Sequence, residues 1–78
     1  MATKEELKQR IEAALPGARA EVSGDDGHHF EAVVVAPQFE GLSRIAQHRL
    51  VYDVFAGELG GRIHALSLQT KVPARTSP

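Results

Sequence analysis

The chain is predicted to be an α+β sandwich of two layers, a three-stranded sheet with both helices packed on one face. Three observations lead there. Two stretches space their apolar residues as a helix does, and three alternate with the two-residue period of a strand. Their order is helix, strand, strand, helix, strand. A chain of 78 residues buries only about 60% of its unfolded surface, so one core is all it can build. Residues 1–72 are expected to form that single domain, and residues 73–78, which carry no pattern, a frayed tail.

Thr3 followed by Glu6 reads as a capping box opening the first helix, and Leu7, Ile11, Ala14 and Leu15 form its apolar stripe before Pro16-Gly17 stops it. Ala18, Ala20 and Val22 alternate with Arg19, Glu21 and Ser23, which predicts a half-buried strand ended by the turn residues of Ser23-Gly24-Asp25-Asp26-Gly27. The next strand is expected over 28–36. Its Val33-Val34-Val35 run suggests cover on both sides, and the two strands should make a hairpin. By parity His28 goes with Phe30, Ala32 and Val34 toward the core, and His29 with Glu31 toward water.

Pro37 ends that strand, Phe39-Glu40-Gly41 turns, and Ser43 is the expected N-cap of the main helix. Ala46, Leu50, Val51, Val54 and Phe55 span the arc facing the sheet, with Arg49 and Asp53 outside as an i, i+4 ion pair. Gly57, Gly60 and Gly61 reverse the chain into a third strand from Ile63, in which His64, Leu66, Leu68, Thr70 and Val72 share a face.

Composition narrows the function classes. With 42% apolar and 24% charged residues the chain is neither disordered nor membranous, since no apolar run nears the roughly 20 residues of a bilayer span. The acidic start Met1-Ala2-Thr3-Lys4-Glu5-Glu6 carries no leader pattern, so a cytoplasmic location is the expectation. No cysteine is present, which removes disulfides, thiol chemistry and any all-cysteine metal site made by this chain alone. Four histidines are the only notable transition-metal donors. No nucleophile stands at workable spacing from a base, and no phosphate-cradling loop occurs, so neither an enzyme nor a small-molecule substrate is expected. Acids dominate residues 1–40. After them only Asp53 and Glu58 offset Arg44, Arg49, Arg62, Lys71 and Arg75, which gives the second half a mildly basic balance.

The set His29-Phe30, Phe39-Glu40-Gly41-Leu42-Ser43-Arg44, His48-Arg49-Leu50-Val51-Tyr52, Glu58-Leu59 and Ile63-His64-Ala65-Leu66 resembles the BolA family in order and spacing over nearly the whole chain. The short acidic loop 22–27 is similar to the compact branch of that family. The resemblance implies the class II KH-like fold, in agreement with the element order. It also implies an interaction module that partners a monothiol glutaredoxin, shares a bridging two-iron two-sulfur cluster with it, and works in cluster trafficking or iron regulation. The family's strand histidine falls on His64. Its loop ligand lines up near Asp26, with His28 and His29 the imidazoles at hand, so His64 ranks first and His29 or His28 second. Clusters of this kind need four donors, mostly thiolates, so the remaining ligands would come from the glutaredoxin cysteine and glutathione; the isolated chain is expected to hold no cofactor.

The alternative within the same resemblance is a DNA-binding transcription regulator using Arg44, Arg49, Arg62 and Lys71 on a helix-turn-helix-like surface. Gly57-Glu58-Leu59-Gly60 has the spacing of the KH nucleic-acid loop, but its glutamate would face phosphates, and a helix stop explains its glycines. His48 is expected to pack on the flank of the main helix beside Phe55.

Overall fold

Thr3 is extended, and its hydroxyl accepts the amide of Glu6 at 3.2 Å, which opens helix α1 (Lys4–Ala14) in the computed structural model of the chain. The structure describes residues 2–24, 26 and 28–73; of the expected tail, residues 74–78 lie outside the described residues. Leu7, Ile11 and Leu15 are buried, while Ala14, expected in the same stripe, is exposed. The stripe is therefore narrower than the pattern suggested. Gly17, at φ 84°, turns the chain back under the helix.

Strands β1 (Arg19–Ser23) and β2 (His29–Val35) form the expected hairpin, antiparallel with Arg19 opposite Val35 and Ser23 opposite Glu31. Only one face of this sheet is covered. Ala20, Phe30, Ala32 and Val34 are buried against the helices, whereas Val33 and Val35 are half-buried on the open face. The valine run is thus not enclosed on both sides as expected. After a 3-10 turn (Pro37–Phe39) that seals Phe39 into the core, the Ser43 hydroxyl accepts the amide of Ala46 and starts helix α2 (Arg44–Val54).

Val51 and Phe55 are fully buried, and Ala46, Leu50 and Val54 are half-buried beside them, so the predicted arc does face the sheet. The Arg49–Asp53 ion pair is not among the ion pairs formed by the described residues. Gly57, at φ 87°, reverses the chain. Ile63 is buried, and strand β3 (Ala65–Lys71) pairs with β2 in parallel, with Phe30 opposite Leu66 and Val34 opposite Thr70. Two strands in parallel need a crossover between them, and α2 supplies it. The sheet order is β1-β2-β3.

Charged side chains hold the reversal between α2 and β3 in place. Arg10 reaches from α1 to bond Glu58 at 2.8 Å and the Val54 carbonyl at 3.0 Å, and its guanidinium lies 4.8 Å from the centre of the Phe55 ring. Arg62 bonds Glu6 at 2.6 Å and Glu58 at 2.8 Å. The arginine bonds, Arg10 first and Arg62 after it, hold the Glu58 carboxyl down to about 2. This fixes the loop that leads into Ile63 and His64.

Candidate functional site

The register of the parallel pair decides where the histidines meet. His29 lies opposite Ala65, so one step earlier His28 and His64 are lateral neighbours at the head of the two strands. The His28 carbonyl accepts both the His64 amide at 3.0 Å and the Ala65 amide at 3.1 Å. With the same parity on adjacent strands, the two rings stack, centres 4.7 Å apart and planes 28° from parallel. The His29 ring stands edge-on to His64 at 6.2 Å, with the planes 85° apart. All three imidazoles are exposed. The expectation that His28 leans into the core is therefore corrected: parity aims it to the helix side, but the buried positions stop at Phe30 and Leu66 and nothing seals the ring beyond them.

Asp26 shapes the loop side of this corner. One carboxylate oxygen accepts the amides of His28 and His29, each at 2.8 Å, and the other lies 2.8 Å from Nδ1 of the His29 ring. These bonds, the ring contact first and the two amides after it, hold the Asp26 carboxyl well below the usual carboxylate range. The carboxylate is ionised and can only accept. The sequence placed the family's loop ligand near Asp26 without giving Asp26 a task of its own, although an aspartate followed by free amides two and three residues on is a recognisable turn spacing. Asp25 and Gly27, the other members of that loop, lie outside the described residues.

The profile of the BolA family, described as BolA-like protein, matches residues 4–75. The chain belongs to the BolA family. It is 37% identical over 78 residues to BolA-like protein 1 of Homo sapiens, covering 88% of this chain and 57% of the relative. The chain thus spans a little over half the length of that curated relative. Among solved structures, a bolA protein homologue from Coxiella burnetii superposes with a TM-score of 0.81 at 47% identity over 94% of both chains. The BolA domain of SufE1 from Arabidopsis thaliana does so with a TM-score of 0.79 at 32% identity, over 94% of this chain and 95% of that one.

Elsewhere on this BolA-like chain the four bases of the nucleic-acid alternative separate. Arg44 and Lys71 line one shallow cleft with His48 and Thr70, and Arg49 lines the next one with Ile45, His48 and Tyr52. Arg62 is bound to Glu6 and Glu58 and lies apart from them. His48 stands edge-on to Tyr52 at 6.4 Å, not against Phe55 as expected, and the Tyr52 hydroxyl donates to the Leu66 carbonyl at 2.9 Å. Gly57 and Gly60 both take positive φ, and Glu58 between them is engaged by Arg10 and Arg62. That segment is a helix stop. No helix among the described residues is long and apolar enough to cross a membrane.

The donor set can be compared with what a cluster needs. Among the described residues no three His, Cys, Asp or Glu groups are arranged to hold a metal ion by themselves. An exposed corner of imidazoles with no thiolate suits one end of an iron-sulfur cluster whose sulfur ligands belong to another molecule.

Proposed function

We propose that this BolA-like chain is an interaction module for a monothiol glutaredoxin, to which it offers His64 and one histidine from the start of β2 as ligands of a shared two-iron two-sulfur cluster. Its setting would be iron-sulfur cluster trafficking or iron regulation. The single observation that carries the reading is the convergence of His28, His29 and His64 at one exposed corner, from two segments far apart in the chain. The glutaredoxin cysteine and glutathione complete the donor set, and the cluster supplies the iron coordination and redox chemistry. This chain's part is to present neutral imidazole nitrogens from a fixed backbone.

Reconstituting the chain with a monothiol glutaredoxin, glutathione, iron and sulfide is expected to give a visible absorption and circular dichroism spectrum distinct from that of the glutaredoxin alone. His64→Ala should abolish that difference. A mixture whose spectrum is simply the glutaredoxin's own would overturn the reading. A DNA-binding role has less to stand on, because Arg62 is already engaged and Arg44, Arg49 and Lys71 offer few phosphate contacts.

A further inference from the structure

We propose that Asp26 is a positioning residue that holds His29 in the Nδ1–H tautomer, and that this selects His29, through Nε2, as the partner of His64, leaving His28 as a support. The inference rests on the cluster-sharing reading for the ligand choice, but not for the tautomer.

A carboxylate has no proton to give, so the nitrogen 2.8 Å from Asp26 must carry one, and the lone pair of the neutral ring is left on Nε2. The carboxylate is itself held, because its other oxygen is fixed by the amides of His28 and His29. The ring is thus oriented from behind by a group that cannot easily swing. This is the arrangement by which a carboxylate sets the tautomer and direction of a metal-binding histidine. His28 has nothing comparable. Among the described residues its ring has no hydrogen-bond partner, only the stack on His64.

Ring distance does not make the choice: the ring centres of His28 and His29 lie 4.7 and 6.2 Å from that of His64, so the selection of His29 falls to the carboxylate behind it. Asp26 itself, at the position where the family's ligand lines up, already accepts three hydrogen bonds from its own turn and acts behind the ligand.

The test begins on the free chain. Long-range 1H–15N spectra, at a pH where the rings are neutral, should show His29 with a protonated Nδ1 and a lone pair on Nε2. Asp26→Asn keeps an oxygen for the two amides but turns an NH2 toward the ring, and should shift His29 to the opposite tautomer while the amide spectrum stays folded. An unchanged His29 tautomer in Asp26→Asn overturns the positioning claim with no glutaredoxin present. In the reconstituted complex, Asp26→Asn should weaken mixed-cluster formation about 10- to 100-fold, the usual effect of losing an outer-shell partner, His29→Ala at least as much, and His28→Ala far less. Loss on His28→Ala with retention on His29→Ala refutes the ligand choice. Failure of the unmodified chain to form any mixed cluster overturns the parent reading and the ligand choice together, while the tautomer result stands on its own spectrum.

Discussion

Gly24 and Asp26 prepare the corner in opposite ways, one by leaving room and the other by filling it with an acceptor. At Gly24, φ is +143°, and an added Cβ would lie 2.4 Å from the His29 carbonyl oxygen and 3.0 Å from the Phe30 ring. Any side chain must push the start of β2 away. Gly24→Ala is therefore expected to destabilise the fold by about 1–3 kcal/mol, from the forced backbone and the clash together, as read by urea denaturation. It should also shift the ring resonances of His29. The sequence identified Gly24 as a turn residue, but its approach to His29 depends on how the hairpin closes. His28 shows the limit of parity reasoning in the same way: the alternation aimed the ring correctly, yet how far the helix layer extends is a property of the packed molecule.

At the scale of elements, two ion pairs with the same i, i+4 spacing differ in outcome. Lys8–Glu12 closes at 2.8 Å, and Glu12 also accepts the Ala20 amide at 3.0 Å, so the carboxylate is anchored from β1. Arg49 and Asp53 have no such anchor and do not pair. An exposed pair alone gains too little to fix two side chains. The capping box was legible in its Thr3 half only, because Glu6 is drawn off by Arg62 from 56 positions away, and no local pattern announces that. The charged set predicts a pH dependence with a definite sign. Glu58 has its carboxyl lowered from 4.5 to about 2 by Arg10 first and Arg62 after it, so the stability it contributes is complete above about 4.5 and lost as pH falls toward 2. The advantage of the unmodified chain over Arg10→Met in urea midpoint is therefore expected to be largest near pH 7 and to shrink across that window. A gap of constant size from pH 7 to pH 2 would rule the linkage out.

For the whole molecule the margin is narrow. A domain of this length has roughly 4–12 kcal/mol of stability to lose, at the usual 0.05–0.15 kcal/mol per residue. Phe39 is completely buried, and Phe39→Ala should cost about 3–5 kcal/mol, a quarter or more of that margin, read as a lowered urea midpoint by far-UV circular dichroism. The architecture itself was readable from periodicity, because each element carries its own apolar spacing and the order admits few arrangements. The meeting of the histidines was not readable. It requires the parallel register of β2 and β3, which sequence leaves open, and that register alone brings His28 beside His64.

The shared carbonyl of His28, which takes the amides of both His64 and Ala65, has a consequence for synthesis. A nascent chain still on the ribosome has its first two imidazoles long before the third, and the third comes into place only when the last strand docks beside the second. Under the proposed function, iron offered before that step would meet an unfinished donor set, and readiness to share a cluster would follow completion of the fold.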